Sequence, residues 1–424
     1  MNLPFLISIA IFIATLVLVT LRPRNIPIGY SALIGAAASY IAGIINFSDV
    51  ISVWDIVWNA TFTFVAIIII SLVLDEAGVF EYAAIKMARL SGGNGNRLFV
   101  LVILLGAAIS AVFANDGTAL ILTPIIYLLL LRANVEKKAI IPFIMATGFI
   151  ADSSSMPLII SNLVNIITAG YFGISFLQYA YKMILPDLVS ILASIAFLYV
   201  YYRKVIPGAF DMSRMKDESG VIRDPFIFKI SLPLIIILLV AYSLGGFFSI
   251  PVSLVAVPSS VILLIIARLN RKVDVVKPLR EAPWQIVLFS LGMYLVVFGM
   301  GREGMTSLLS GVLSSMNFLF PPLRVLLSGY LFAAIAGAMN NLPSIMLGNL
   351  ALSSIHGPAN LIYANVVGND IGPKFTPIGS LATLVWIHTL KRKSGITISP
   401  AYYMKVGFLI GLPVLTLTLL SLSI

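Results

Sequence analysis

The chain has 424 residues, of which 60% are hydrophobic and only 10% are charged, with a formal net charge of +10. A soluble domain usually carries about 25% charged residues, so this composition excludes an ordinary soluble protein and predicts one that lies in a membrane. The excess of Lys and Arg is typical of cytoplasmic loops of membrane proteins and needs no nucleic-acid partner. The absence of cysteine and the presence of only two histidines exclude disulfides, thiolate metal sites, cysteine nucleophiles and His-rich metal centres.

Hydrophobic runs long enough to cross a hydrocarbon core of roughly 30 Å recur along the whole sequence. The first run lacks a basic leader and a small-residue cleavage site, so we expect it to be a retained span and not a signal peptide. Ten spans are predicted, at residues 3–21, 27–45, 51–74, 138–169, 183–202, 227–245, 250–268, 284–300, 359–390 and 400–422.

Two further apolar stretches, 98–131 and 322–354, do not have the pattern of simple spans. Polar or helix-breaking residues interrupt each near its middle, at 115–118 and 340–343. Arg97 and Arg132 flank the first stretch, and both are expected on the cytoplasmic side. We therefore predict two re-entrant helical hairpins, which a membrane tolerates only where the irregular tip is buried in protein or in a wet cavity.

The distribution of basic residues tests this path. With both termini outside the cytoplasm, 23 of the 27 Lys and Arg residues fall on the cytoplasmic side. Lys182, Arg302 and Arg324 fall outside, and Lys374 falls within a span. Such a bias is the expected signature of a correct topology, so we expect a multi-pass protein of the inner (plasma) membrane.

The path also contains an internal symmetry. A span, a hairpin, a broken span and a span make up residues 51–202, and the same series recurs over residues 284–422, entered from the opposite side. The predicted fold is an all-α polytopic membrane protein, with ten transmembrane helices, two of them broken, and two hairpins in an inverted-topology repeat. Its parts are an N-terminal half (1–202), a cytoplasmic linker (203–229) and an inverted C-terminal half (230–424). Inverted repeats with broken helices at the midplane are a signature of secondary transporters.

The polar interruptions carry the candidate substrate site. Gly and Pro in them free backbone groups from the helical ladder, while Asn, Ser and Thr add hydrogen-bond donors and acceptors. A small polar solute could thus be held without any thiol. The candidate substrate-binding residues are Asn115, Thr118, Ser153, Asn340, Asn341, Asn369 and Thr376.

Three of the 17 acidic residues, Asp116, Asp152 and Asp370, fall at membrane depth on this path, whereas Asp187 is expected near an outer span end. A charged group at the centre of a membrane helix costs about 3 kcal/mol or more. Burial favours the neutral carboxyl, which makes these aspartates candidate proton carriers. Two structural explanations stay open, namely that an aspartate caps a half-helix, or that it pairs with Lys374. Lys374 follows Asp370 by four residues and is a candidate ion pair or switch.

Several segments together match one known family. They are Ala114–Thr118 with Leu122–Pro124, Phe149–Asp152, Pro157-Leu158 with Ser161–Asn165, Asn340–Pro343, and Gly368–Thr383. These motifs, over nearly the full chain, resemble those of the ArsB arsenite permeases, within the ion transporter superfamily.

The resemblance implies a proton-coupled secondary transporter, and not an enzyme, which exports trivalent arsenic and antimony as uncharged trihydroxides. It implies no cofactor and no metal other than the substrate, with a cytoplasmic ATPase as a partner. It carries over Asn115, Asp116, Asp152, Asn340, Asn341, Asn369, Asp370 and Thr376 as site residues. A site without cysteine would bind arsenite weakly and release it quickly, as an exporter must.

Other functions remain to be separated from arsenite export. A sodium/proton antiporter of the same superfamily is the main alternative, because paired Asn-Asp motifs can also bind Na⁺. A dicarboxylate carrier is disfavoured, because Lys374 is the one basic residue at membrane depth. An ion channel would need a continuous pore, and an intramembrane enzyme would need a nucleophile beside a base.

Overall fold

The computed structural model describes residues 2–212, 218–272, 274, 276–282 and 284–423. The regular structure of these residues is helical throughout, with no β-strand. The α-helices are α1 (Leu3–Leu21), α2 (Ile28–Ile41), α3 (Phe47–Glu76), α4 (Val79–Leu90), α5 (Gly95–Val112), α6 (Asn115–Arg132), α7 (Lys137–Ser153), α8 (Leu163–Phe172), α9 (Phe176–Tyr202), α10 (Pro225–Phe247), α11 (Ser253–Asn270), α12 (Val276–Glu281), α13 (Trp284–Met300), α14 (Thr306–Ser315), α15 (Pro321–Met339), α16 (Asn341–Ser354), α17 (Ala359–Ile371), α18 (Leu381–Ser394), α19 (Pro400–Val406) and α20 (Leu412–Ser421). Single π-helical turns join α13 to α14 and α19 to α20.

Within the described residues, ten helical stretches are long and apolar enough to cross a membrane. The number agrees with the predicted ten spans, but the members differ. Three of the four hairpin arms, α5, α6 and α15, are among the ten. Predicted span 27–45 forms a helix of only 14 residues, and each predicted broken span is divided between two shorter helices.

Side-chain caps set where the long helices begin. Asn46 and Asp49 form a capping box at the start of α3, so α3 begins before the predicted residue 51. Ser175 and Gln178 form another at the start of α9. Helix α9 therefore begins at Phe176 instead of residue 183, because the reciprocal hydrogen bonds of a capping box satisfy the free amides of the first turn. Helix α10 likewise begins at Pro225, within the predicted linker, and residues 213–217 of that linker lie outside the described part of the chain.

Both interrupted apolar stretches form pairs of helices with a sharp break between them. Phe113 and Ala114 have extended backbone between α5 and α6. Asn340, with a φ of 80°, separates α15 from α16. The Asn340 side chain accepts a hydrogen bond from the Leu342 amide at 3.2 Å and so caps α16. A left-handed, capping Asn explains why the second break falls at this residue.

The two predicted broken spans are interrupted by 3₁₀ turns. Helix α7 ends at Ser153, and a turn at Ile159–Ser161 precedes α8. Helix α17 ends at Ile371, and turns at Gly372–Phe375 and Pro377–Gly379 precede α18. Proline in each break removes a backbone donor and prevents the helix from continuing.

Contacts between loops show which helix ends share a face of the molecule. Arg132, at the end of α6, and Arg223, before α10, both reach Glu81, at 3.7 and 3.0 Å. The amide of Gly95, at the start of α5, donates to the Gly208 carbonyl at 3.4 Å. The free ends of α5 and α6 therefore lie on the same face as the segment between α9 and α10.

A second group of contacts joins other loops. Arg302, beyond α13, binds Asp49 at 2.5 Å and the Ile44 carbonyl at 2.7 Å. Ser310 of α14 and Ser354, the last residue of α16, are hydrogen-bonded at 2.7 Å. All of these residues are assigned to the outer side by the predicted topology.

Candidate functional site

The broken helices and one helix-pair tip meet at Asp152, at the end of α7. One carboxylate oxygen accepts a hydrogen bond from the Asn115 amide of the α5–α6 break at 2.8 Å. The other accepts from the Lys374 ammonium at 2.6 Å. Both members of this ion pair are buried, Lys374 to 1% and Asp152 to 2% exposure, so three of the predicted polar interruptions are joined at one carboxylate.

Lys374 does not pair with Asp370, the partner suggested by their spacing. Helix α17 ends at Ile371, so the following 3₁₀ turn carries Lys374 away from the helical face of Asp370. The ammonium instead reaches across to α7, where it also donates to the Gly148 carbonyl at 2.6 Å. The ion-pair prediction for Lys374 thus holds with a different aspartate, from the other half of the chain.

Asp370 has an amide partner and no cation. One of its oxygens accepts a hydrogen bond from the Asn162 amide at 2.6 Å, and the same amide reaches Ser155 at 3.1 Å. Its second oxygen is buried without a partner among the described residues. Because Asn162 also caps α8, it ties the break of the first half to the carboxyl of the second.

Asp116 lies in the first turn of α6 and is the least enclosed of the three predicted aspartates, at 8% exposure. It interacts electrostatically with Asp152. The hydroxyl of Tyr294, on α13, is buried without a hydrogen-bond partner and lies within electrostatic range of Asp116. The N-cap position of α6 is held by Ala114, and Asp116 lies in the first turn of the helix, where a carboxylate interacts favourably with the positive end of the helix dipole.

Several buried acceptors at these breaks have no donor among the described residues. They include the side-chain oxygens of Asn115 and Asn369, along with the second Asp370 oxygen and the Ser344 hydroxyl. Both amide orientations are fixed by their NH₂ groups, since Asn115 donates to Asp152, and Asn369 donates to Asn365 at 2.8 Å. Unmatched buried acceptors are costly, so this arrangement fits a ligand that donates hydrogen bonds.

The other predicted substrate residues lie at the same breaks, with their side chains differently engaged. Thr376 donates to the Gly337 carbonyl, and Asn340 donates to the Ile378 carbonyl at 3.1 Å. Ser153 donates to Phe149 at 3.0 Å, and Thr118 lies 3.4 Å from the Ala114 carbonyl. Asn341 is buried at the start of α16. The hydrogen bonds of Thr376 and Asn340 hold the α15–α16 tip against the break that follows α17.

The expectation that Asp187 lies at an outer span end is wrong. Because α9 begins at Phe176, Asp187 falls three turns into the helix, where it is 3% exposed. Its carboxyl accepts from the Met156 amide at 3.4 Å, in the break after α7. The sequence signal that could have located it is Ser175 followed by Gln178, the capping box that lengthens α9.

Two sets of buried polar contacts lie on opposite sides of the aspartates, and each set joins three helices. In one, Thr123 of α6 contacts Thr147 of α7 at 3.0 Å, and Trp386 of α18 donates to Thr123 at 2.9 Å. We refer to Thr123, Thr147 and Trp386 as the inner contact set, because the predicted topology assigns these positions to the cytoplasmic half of the membrane.

The outer contact set consists of Thr168, Asn349 and Asn365, on α8, α16 and α17. The Asn365 amide donates to Asn349 at 3.0 Å, and Asn349 donates to the Thr168 hydroxyl at 3.2 Å. A Cβ on Gly348 would collide with the Asn365 amide, so glycine permits this close approach. Neither contact set was recognised from the sequence, where isolated Thr, Asn and Trp residues in apolar helices carry no motif.

Comparison with known proteins identifies the family to which the chain belongs. Residues 7–424 match the family model described as arsenical pump membrane protein, ArsB. The arsenical pump membrane proteins of Escherichia coli K12 and Yersinia enterocolitica are 46% and 45% identical to this chain, each over 99% of it and 98% of the relative. The crystal structure of the Alcanivorax borkumensis YdaH transporter has a TM-score of 0.55 and 14% identity, over 89% of this chain and 86% of that one, which indicates a shared fold. The chain is a multi-pass membrane protein that belongs to the arsenical pump membrane protein (ArsB) family.

Proposed function

We propose that this protein is a secondary transporter that exports trivalent arsenic and antimony, as neutral trihydroxides, in exchange for protons. The observation that carries the proposal is the set of buried acceptors without donors on Asn115, Asn369 and Asp370. A trihydroxide offers three O–H donors, and each hydrogen bond to such an acceptor removes a desolvation penalty. The names of the relatives support an arsenical as the cargo.

The charge balance of the site agrees with a neutral cargo. Lys374 is the one buried basic side chain among the residues that the structure describes, and Asp152 neutralises it at 2.6 Å. No cation is therefore available for a carboxylate-bearing substrate. Without thiols, binding depends on hydrogen bonds, each worth about 0.5–1.5 kcal/mol net, which gives the modest affinity that an exporter needs to release its cargo.

The proton is assigned to the aspartates that lack a cation. Asp116 and Asp370 are buried without an ion pair in the described structure, so the neutral form is favoured while the site is closed. Opening to water permits ionisation and proton release. Asp152 keeps a role in coupling as the partner of Lys374, because a proton on Asp152 would remove the charge that holds the ammonium.

We also propose that α5–α6 and α15–α16 are re-entrant hairpins and that the halves form an inverted repeat. Matching positions in the contact sets support this. Thr123 and Asn349 each follow the tip residue, Asn115 or Asn341, by eight positions. Thr147 and Asn365 each precede an aspartate, Asp152 or Asp370, by five.

The third members match as well, since Thr168 and Trp386 each follow the cap of their half-helix, Asn162 or Ser380, by six positions. In each set, two helices come from one half of the chain and one comes from the other half. Two equivalent contacts on opposite sides of one site suit alternating access, in which one opens while the other stays closed.

The decisive experiment measures arsenite uptake into everted membrane vesicles under an imposed pH gradient, acid inside and without sodium. We expect arsenite to accumulate and the gradient to dissipate in proportion. A sodium/proton antiporter would take up no arsenite and would dissipate the gradient only after Na⁺ is added, and that result would overturn the proposal. A cytoplasmic ATPase partner stays a prediction that this assay does not require.

A matched pair of variants tests the site in the same vesicles. Asn369→Leu keeps the side-chain volume and removes the unpaired acceptor together with the amide that donates to Asn365. Loss of the acceptor should raise the KM for arsenite about tenfold, the equivalent of one hydrogen bond of about 1.4 kcal/mol. Ser154→Ala is the control, because the Ser154 hydroxyl already donates to the Ile150 carbonyl in the last turn of α7, at 2.6 Å. Equal KM values for the two variants would contradict the proposed binding role of Asn369.

A further inference from the structure

Helix α9 presents a buried polar face to the break after α7. Tyr179, Asp187, Ser190 and Ser194 are spaced so that they lie along one side of the helix, and each is at most 3% exposed. Ser190 donates to the Ser153 carbonyl, and Ser194 contacts the Ser153 hydroxyl at 3.3 Å. Serine is common where membrane helices pack closely, so Ser190 and Ser194 need no further role. A buried carboxyl in a membrane helix is costly and indicates a function.

Asp187 is the one acidic residue on this face, and its environment resembles that of Asp370. Its single hydrogen bond is long, 3.4 Å from the Met156 amide, and it belongs to no ion pair among the described residues. Lys374, the one buried ammonium in the described part of the chain, is held by Asp152. Asp187 is within electrostatic range of Asp370, so ionising both together would place two like charges in a medium of low dielectric constant.

Tyr179 lies two helical turns from Asp187 on the outer side of the same face. Its hydroxyl is fully buried without a hydrogen-bond partner, and it is within electrostatic range of both Asp187 and Asp370. A tyrosine hydroxyl can both donate and accept a hydrogen bond. It is therefore suited to connect a carboxyl with water that enters from outside.

A cavity lies beside the first turn of α9, close along the helix to Tyr179. It has a volume of about 500 Å³ and is lined by the turn between α8 and α9, the turn between α10 and α11, Phe176, and α3. The α3 residues include Asp55, a second carboxyl that any pH profile must separate from Asp187. Both turns are predicted to lie outside the cytoplasm. Phe176 precedes Tyr179 by three residues, or about 4.5 Å along the helix, so the cavity ends within one turn of the tyrosine.

We propose that Asp187 is a proton-binding residue of the transport cycle, which exchanges its proton with the outer side by way of Tyr179. The inference rests on the proposed function, because it assigns a carrier for the protons that drive arsenite export. A proton from the outer solution binds the Asp187 carboxylate when the outer route is hydrated. It is passed inward when Asp370, the neighbouring carboxyl, becomes the stronger acceptor.

Other ionisable groups near α9 must be separated from Asp187 in any pH profile. Asp152 lies on α7, Asp370 and Tyr363 lie on α17, and Tyr242 on α10 packs on Phe176 at 5.6 Å between ring centroids. Helix α20 packs along α9 and carries no ionisable residue. Asp187 is thus separable from its neighbours by single substitutions.

The test compares Asp187→Asn, Asp187→Glu and the wild type in everted vesicles, with Glu136→Gln as an exposed carboxyl control. The wild type must first show arsenite-linked proton movement, because its absence would refute the proposed function itself. We expect Asp187→Asn to lose about one proton transported per arsenite and to flatten the pH dependence of uptake. Arsenite exchange without a pH gradient should continue, since the substrate acceptors are untouched.

Asp187→Glu should retain proton coupling with a displaced pH profile, and Tyr179→Phe should slow proton-linked uptake while leaving the ratio of protons to arsenite unchanged. If Asp187 had a purely structural role, its substitution would reduce the amount of folded protein in the membrane. The protein that did fold would keep the wild-type ratio of protons to arsenite and the wild-type pH profile of uptake. That outcome, or a wild-type ratio in Asp187→Asn across the pH range, would overturn the assignment.

Discussion

Asp152 and Lys374 form a buried ion pair at the point where the two halves of the chain meet. Each partner comes from a broken helix of a different half, and the pair holds these breaks together at 2.6 Å. Gly407 packs so closely on the Lys374 carbonyl that a Cβ at this position would collide with it. The lysine backbone is thus fixed, and its ammonium is directed toward α7.

Removing one partner of this ion pair should destabilise the protein more than removing both partners. Lys374→Gln leaves the Asp152 carboxylate buried without a cation, which typically destabilises a protein by about 3–5 kcal/mol. The Asp152→Asn/Lys374→Gln double variant removes both charges, so most of that stability should return. Thermal unfolding of the purified protein in detergent measures both, with the exposed Lys138→Gln as the control.

Two results would contradict this expectation. Equal destabilisation of the single and double variants would mean that Lys374 acts through contacts other than Asp152. A single variant as stable as the wild type would mean that Asp152 takes up a proton when its cation is lost.

At the scale of elements, the positions of the breaks were predictable, but their partners were not. Asn, Gly and Pro within apolar runs indicated the tips near Asn115 and Asn340, because these residues interrupt helices for local reasons. The pairing of Lys374 with Asp152 depends on how the chain turns after Ile371, which no local rule determines. Asp187 was misplaced because hydropathy alone put the start of α9 seven residues too late.

The inner and outer contact sets were also not predictable from the sequence alone. Thr123, Asn349 and Trp386 follow no motif, and their meaning emerges only when three helices come together. The repeat of their spacings was available in the sequence, yet only the contacts indicate which of many polar residues to compare. Local chemistry thus predicts where helices end, and packing decides which ends meet.

The outer contact set offers a test of movement between elements. A reducible, short bifunctional crosslinker applied to the Thr168→Cys/Asn349→Cys variant would join α8 to α16, helices from different halves of the chain. We expect transport to stop after crosslinking and to recover on reduction, because cargo release requires these helices to separate. The absence of native cysteine makes the introduced pair the sole target.

The matched control joins Ser310→Cys to Ser354→Cys, whose native hydroxyls are 2.7 Å apart and whose helices, α14 and α16, belong to the same half. This crosslink should leave transport unchanged. Continued transport in the Thr168→Cys/Asn349→Cys variant, with most molecules crosslinked, would show that the outer contact set does not open.

At the scale of the whole molecule, the loop contacts divide into two groups that agree with the distribution of basic residues. Arg132, Arg223 and Glu81 form one group, and Arg302 and Asp49 form the other. The predicted topology assigns the first to the cytoplasm and the second to the outer side. No contact in either group joins residues assigned to opposite sides, so the path is consistent with packing as well as with charge.

An inverted repeat makes a specific demand on this arrangement. The free ends of α5–α6 must face one side of the membrane and those of α15–α16 the other, whereas a direct repeat would place all four ends together. Arg97→Cys and Glu136→Cys mark the first pair of ends, and Asn317→Cys and Ser353→Cys mark the second; all four positions are exposed. Each variant has a single thiol, and the cysteine-free wild type is the blank.

We expect a membrane-impermeant maleimide to label Asn317→Cys and Ser353→Cys in intact spheroplasts. Arg97→Cys and Glu136→Cys should react only after permeabilisation, because the positive charge around them holds these ends in the cytoplasm. Labelling of all four from one side would exclude the inverted arrangement, and with it the equivalence of the two contact sets. Labelling of opposite pairs would instead establish that one helical design, used twice in opposite directions, encloses the site from both sides.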